Sequence, residues 1–248
     1  MGVPETIAIA VLFFAGAALY SSVGHGGASS YLAIMGLFGL APAVMKPTAL
    51  TLNILVAFVA TLKFYRAGLF RWELFWPFAA ASIPAAFIGG AITLPSRVYL
   101  IVVGMVLLVA AFWMFWSARR PITVPTKSLP LLGAVGFGLA IGFLSGLTGV
   151  GGGIFLSPLL LYMGWAETRA AAGVAAPFIL ANSISGLLGH LSTVEQLPSA
   201  IPVWGIAALA GGWIGANYGS RRAPPPTLRR LLAVVLVVAG VKLILAPG

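Results

Sequence analysis

Apolar runs punctuated by proline, glycine and charge recur along the whole chain, at roughly 3–22, 28–40, 44–64, 74–93, 97–117, 129–147, 153–164, 170–190, 199–217 and 228–246. The long runs each reach about 18 residues or more, enough to cross a hydrocarbon core roughly 30 Å thick. The runs at 28–40 and 153–164 are shorter, about 20 Å of helix, the length of a half-membrane element. The order is long, short, long, long, long, and it occurs twice. Individual residues follow the same duplication. Gly24, Gly26, Gly27 and Gly39 recur 125 positions later as Gly149, Gly151, Gly152 and Gly164, Asn53 matches Asn182, and Pro95 and Pro226 each precede a last span.

Composition turns these runs into membrane spans. Hydrophobic residues make up 60% of 248 and charged residues 7%, far from the balance of a soluble domain. Between the spans there is no room for a soluble domain. The first run has no basic segment before it and carries Glu5, so it reads as a retained membrane segment rather than a cleaved signal.

The 14 Lys and Arg against four acidic residues, all Glu, give a net charge of +10. These cations sit singly or in short groups between apolar spans, unlike the clustered basic face of a nucleic-acid binder. They report topology instead, because Lys and Arg accumulate in cytoplasmic loops. If every run except the two short ones crosses the membrane, the cations divide evenly between the two sides. If the long and short runs around each glycine cluster form a hairpin that enters and leaves on one side, the second half is inverted. Lys63, Arg66, Arg71, Arg119, Arg120, Lys127, Arg169 and the arginines at 221, 222, 229 and 230 then share one side. Lys46, Arg97 and Lys242 occupy the other, an asymmetry of eleven to three.

The expected fold is therefore an all-α integral membrane protein built of two inverted-topology repeats. Each repeat is a Gly-broken helical hairpin followed by three transmembrane helices. Repeat 1 covers 1–117, a cytoplasmic linker 118–128, and repeat 2 129–248, together forming one membrane domain with both termini periplasmic.

Two glycine clusters interrupt the apolar pattern, Gly24-His25-Gly26-Gly27 and Gly149-Val150-Gly151-Gly152-Gly153. Backbone amides left unpaired in the membrane must be buried in protein or line a polar cavity. In transporters built from inverted repeats, broken helices direct N-terminal ends carrying roughly +0.5 charge at anions. Glycine also lets successive N–H groups form an anion-binding nest. The chain has no Asp, and its four Glu lie near span ends, where they do not supply the buried carboxylates that cation carriers use. The chemistry leans toward anions.

The candidate substrate-binding residues are Ser22, Gly24, His25, Gly26, Gly27, Asn53, Thr148, Gly149, Gly151, Gly152, Gly153 and Asn182. The hydroxyls of Ser21, Ser22, Ser145 and Thr148 stand at the adjoining helix ends, where they either cap broken backbone or donate to an anion. Asn53 and Asn182 line the cavity or hydrogen-bond between helices. His25 and His190 are candidates for proton coupling, and Lys46 is either an interfacial lysine or a charge at an outer mouth. Other glycines, including Gly186, Gly189, Gly211, Gly212 and Gly215, read as helix-packing positions. No Gly-Lys-Ser or Gly-Lys-Thr follows the second cluster, which excludes a phosphate loop. Separated histidines with no nearby carboxylate make no metal site, and no cysteine is present. No catalytic constellation, cofactor or metal is expected, so the chain does not read as an enzyme.

The segment from Gly142 through Gly146-Leu147-Thr148-Gly149-Val150-Gly151-Gly152-Gly153 to Asn182-Ser183-Ile184-Ser185-Gly186 resembles the glycine-rich motif and following helix of the TauE/SafE sulfite exporter family. The first half carries the related pattern at Ser22-Val23-Gly24-His25-Gly26-Gly27, then Ala49 to Asn53 and the loop Gly68 to Trp72. His25, Ala28-Ser29-Ser30 and Lys46-Pro47 depart from that pattern. The resemblance implies transport of sulfite, sulfoacetate or related organosulfur anions across the bacterial inner membrane. Transport means export, or in some members uptake.

The expected function is a secondary transporter, an exporter of a small sulfur-containing anion bound at the paired glycine breaks. The alternatives are a passive anion channel or permease for another small anion, and a non-transport membrane assembly protein. The partners are the anion and the lipid bilayer, with no nucleic acid, and a homo-oligomer is compatible with this reading. Moving one charge through 100 mV is worth about 2.3 kcal/mol, so anion export down an inside-negative potential requires no further coupling.

Overall fold

The computed structural model describes residues 2–117, 128–191, 197–222 and 226–246. The linker expected at 118–128, except for residue 128, lies outside the described residues, as do Arg119, Arg120, Lys127 and Glu195. The described residues form helices α1 (Val3–Ser21), α2 (Ala28–Leu37), α3 (Pro42–Arg66), α4 (Trp72–Ala91), α5 (Ser96–Ser117), α6 (Leu131–Thr148), α7 (Gly153–Tyr162), α8 (Thr168–His190), α9 (Ile201–Arg221) and α10 (Pro226–Leu245). No strand occurs among them. The protein is an all-helical, multi-pass membrane protein. By length and composition, α1, α3, α4, α5, α6 and α8 can cross a bilayer. Helix α9 is not among these six, because Gly211, Gly212, Gly215, Asn217 and Gly219 dilute its apolar content. Large apolar side chains such as Ile206, Phe112 and Leu132 are exposed on the outer faces, where lipid replaces water.

The helices pack between the halves of the sequence rather than within them. α1 lies on α9, α4 on α6, α5 on α10, and the long helices α3 and α8 run against each other and against α9 and α4 respectively. Exchanging α1 with α6, α3 with α8, α4 with α9 and α5 with α10 turns this set of pairings into itself.

Small residues make the contacts close, as expected where lipid offers no hydrophobic drive for helix association. Gly138, Gly142 and Gly146 of α6, each one turn apart, meet the backbone of Phe78, Ser82 and Ala86 on α4. Gly211, Gly215 and Gly219 of α9 meet the backbone of Phe14 and Ala18 on α1 and of Ser22 just after it in the same way. A methyl group at any of these six positions would run into a neighbouring carbonyl. Gly186 and Gly189 of α8 face Gly146 and Phe87, so these also are packing glycines.

Candidate functional site

The first break, residues 22–27, joins α1 to α2, and the second, residues 149–152, joins α6 to α7. Gly24 and Gly27 hold φ of 79° and 107°, and Gly149, Gly151 and Gly152 hold 84°, 83° and 81°. Side-chain-bearing residues rarely adopt this region, which accounts for the glycines in both loops.

Both breaks end at the middle of the two long helices. A Cβ on Gly26 or on Gly151 would collide with the amide of Asn53, and Ile179 of α8 stands beside both positions at 3.1 and 3.0 Å. A Cβ on Gly153 would meet Ile179 and would lie 3.4 Å from the His25 ring. Asn53 and Ile179 each lie about halfway along their helices. Thus His25, Gly26, Gly151, Gly153 and Asn53 share one buried locus. Gly152 adjoins it through Phe178 and Ser145, and Gly24 packs on Ala172 at the start of α8.

The two breaks differ in what satisfies their backbone. In the first, Asn53 Oδ1 accepts from the Ala28 N–H at 3.2 Å, the Tyr31 hydroxyl donates to the Gly26 carbonyl at 3.0 Å, and Ser30 donates to the Gly27 carbonyl at 2.7 Å. The N–H groups of Gly24 and His25 turn back to the carbonyls of Ser21 and Tyr20, while those of Gly26 and Gly27 find no acceptor among the described residues. In the second, only the Gly149 N–H is bonded, to the Ser145 carbonyl at 2.9 Å. The N–H groups of Val150, Gly151, Gly152, Gly153 and Ile154 find no acceptor among the described residues. Gly153 and Ile154 open α7, where every helix leaves N–H groups without intrahelical acceptors, so the break itself contributes the N–H groups of Val150, Gly151 and Gly152. The Ser145 hydroxyl beside Gly152 is also fully buried and without a partner among the described residues.

The four flanking hydroxyls divide. Ser22 donates to the Leu19 carbonyl at 2.6 Å and Thr148 to the Leu144 carbonyl at 2.6 Å, bonds that close the ends of α1 and α6. Ser21 and Ser145 make no such bond. The two asparagines also divide. Asn53 Nδ2 donates across to Ser183 on α8 at 2.8 Å, whereas Asn182 donates to the Phe178 carbonyl of its own helix at 3.0 Å and keeps Oδ1 buried and unpaired among the described residues.

The histidines are apart. His25 Nε2 shares a hydrogen bond of 3.0 Å with Ser157 Oγ of α7, joining the first break to the helix after the second. His190 ends α8, roughly 16 Å of helix rise beyond Ile179, and lines one cleft with Lys46.

Lys46 is turned inward and 4% exposed, contrary to the ordinary fate of a lysine at a span end. Its Nζ donates to the carbonyls of Gly90 at 2.8 Å, Ile92 at 3.1 Å and Gly89 at 3.5 Å, where α4 ends. A cation suits this negative end of the helix dipole. Arg169, at the start of α8, likewise donates to the Ser220 carbonyl near the end of α9 at 2.9 Å. Sequence reasoning missed Lys46 as a cap, along with Tyr31, Ser157 and Ser183. Tyr31 and Ser183 were adjacent to recognised motifs, but nothing in the sequence pairs Lys46 with α4.

The family model described as "Sulfite exporter TauE/SafE" matches residues 8–243. A "Probable membrane transporter protein y4hK" of Sinorhizobium fredii is 43% identical over 244 residues, covering 97% of this chain and 98% of that protein. A "Probable membrane transporter protein YunE" of Bacillus subtilis is 27% identical over 118 residues, 45% of this chain and 41% of that protein. No solved structure matches the chain. With family-wide similarity over nearly its whole length and a full-length transporter relative, the chain belongs to the TauE/SafE sulfite exporter family of membrane transporters.

Proposed function

We propose that the protein is a secondary transporter that exports a small sulfur-containing anion, sulfite or an organosulfonate, across the bacterial inner membrane. The observation that carries this reading is the second break, where the N–H groups of Val150, Gly151 and Gly152, those of Gly153 and Ile154 at the start of α7, and the Ser145 hydroxyl have no partner among the described residues, beside the mid-span residues Asn53 and Ile179. Such a nest favours negative charge without needing a fixed cation. Asn53, Gly151, Gly152, Gly153 and His25 bound the anion; Gly24, Gly26 and Gly27 shape the first break against it; Ser22 and Thr148 hold the helix ends, and Asn182 stands behind Phe178. The halves are inverted, with both termini periplasmic and the 118–128 linker cytoplasmic.

Rigid rocking of one sequence half against the other would tear α1 from α9 and α4 from α6. The moving bodies therefore combine helices of both halves. His25, bonded to Ser157 of α7, is placed to couple the two breaks and to carry a proton between them. His190 is too far from that locus to exchange a proton with it directly.

The test is counterflow of labelled sulfite in proteoliposomes of the purified protein, with sulfoacetate, taurine, sulfate and thiosulfate as competitors. Saturable uptake accelerated by internal sulfite supports a carrier. Non-saturating flux without acceleration supports the passive channel instead.

A further inference from the structure

A cavity whose mainly apolar wall carries a few polar groups lies at the ends of α4 and α8, beside the second glycine break. It has a volume of about 140 Å³ and is lined by Lys46, Thr93, Ser96, Tyr99, Leu147 and His190, among others. From these surroundings we infer that the cleft at Lys46 is an anion-binding vestibule, a station for a small oxyanion or sulfonate before or after it occupies the second glycine break. The inference rests on the anion-transport reading and adds to it a site and a selectivity residue.

The charge balance argues for an anion. Lys46 is almost wholly buried, and its three carbonyl acceptors satisfy the ammonium's hydrogen bonds without cancelling its charge. The α4 terminus supplies a dipole charge of roughly −0.5, half of what is needed. No carboxylate pairs with Lys46 among the described residues, and none lines the cleft. A buried cation is costly unless paired, so a mobile anion is the group that completes this site. Ser96 and the His190 ring add polar atoms to the wall.

Position argues for the route. A Cβ on Gly149 would lie 3.2 Å from the Lys46 carbonyl, and the Tyr99 hydroxyl donates to the Thr148 carbonyl at 3.0 Å. The cleft therefore abuts the second break. A cavity of roughly 150 Å³ admits benzene, so a small oxyanion or a short sulfonate fits. The cleft against the first break differs: it is lined by Val23, His25, Met114, Ser157 and Thr168, among others, with no Lys or Arg, at about 40 Å³.

The chain contains no cysteine, so Ser96→Cys places a single thiol in this cleft. The purified variant is labelled with an anionic sulfonate methanethiosulfonate reagent and with its cationic trimethylammonium counterpart, each rate normalised to a free small thiol. The anionic reagent is expected to react about tenfold faster or more, the low end of what a focused field supplies. Lys46→Gln on the Ser96→Cys background brings the ratio to about one, Lys46→Arg retains it, and sulfoacetate, which unlike sulfite does not attack the thiosulfonate reagent, protects the thiol. A normalised ratio near one in Ser96→Cys alone overturns the vestibule, as does a ratio that Lys46→Gln leaves unchanged. Charge-selective labelling that phosphate or acetate blocks but sulfoacetate and other sulfonates do not would uphold the vestibule and refute the sulfur-anion reading. Saturable sulfite counterflow with charge-indifferent labelling would do the reverse.

Discussion

Asn53 Nδ2 donates to Ser183 Oγ at 2.8 Å, joining the middle of α3 to the middle of α8 while Oδ1 of the same amide accepts from the Ala28 N–H. One side chain therefore closes the first glycine break and fastens the two long helices together. Replacing Asn53 with Ala removes both bonds in a fully buried setting and is expected to cost about 2–4 kcal/mol, read as a fall in melting temperature in detergent. A double-mutant cycle with Ser183→Ala should show coupling of about 1 kcal/mol. Strict additivity would mean that the bond does no structural work.

The glycine stripes on α6 and α9 are there for helix approach, and their substitutions separate from those of idle glycines. Gly142→Leu drives a side chain into the Ser82 backbone and is expected to abolish folded protein, measured by size-exclusion profile and yield. Gly136, on the same helix, has nothing within 4 Å of its Cβ position. Gly136→Ala should fold like the parent and gain up to about 1 kcal/mol from helix propensity. Equal outcomes for the two variants would contradict the α4–α6 contact.

Lys46 and Arg169 each cap the end of a neighbouring helix, but to different extents. Lys46→Ala leaves buried carbonyls of Gly90 and Ile92 without a donor and is expected to cost about 3 kcal/mol, whereas Arg169→Ala loses a single bond to Ser220 and should cost about 1 kcal/mol. Thermal unfolding of the two variants side by side checks the order.

The proposed inversion puts two exposed positions from the two halves on one side, where an uninverted duplication would put them on opposite sides. Ala67 follows the cationic end of α3, and Arg222 follows that of α9. In intact cells a membrane-impermeant maleimide should spare both Ala67→Cys and Arg222→Cys until the cells are opened. Labelling of one of the two from outside while the other is spared would refute the inversion.

Helix positions were legible because lipid forces backbone bonds to close within each segment, and the apolar runs of the sequence coincide with all ten helices to within a few residues. The breaks were legible because only glycine tolerates the φ of Gly149, Gly151 and Gly152. Partnership was not. Asn53 and Asn182 stand at corresponding places in the duplicated sequence, yet one bridges to α8 and the other bonds its own helix, because Ser183 and the Ala28 N–H are available only to the first. Lys46 was equally opaque, since its acceptors lie more than forty residues away at the end of α4. Ser22 and Ser21 are adjacent and chemically alike, and only the helix geometry decides which hydroxyl turns back to a carbonyl.

The central claim is that a small sulfur-containing anion is held at the second glycine break, and Ser145→Ala tests it with the smallest disturbance, removing a buried hydroxyl that bonds nothing among the described residues. The decisive measurement is the half-saturation of sulfite counterflow in proteoliposomes for the parent and for Ser145→Ala, with the melting temperature of each taken as the control. The account predicts an unchanged or slightly higher melting temperature and a half-saturation raised about tenfold or more, the loss of one hydrogen bond to a charged ligand. Parental half-saturation in a folded Ser145→Ala variant would place the anion elsewhere.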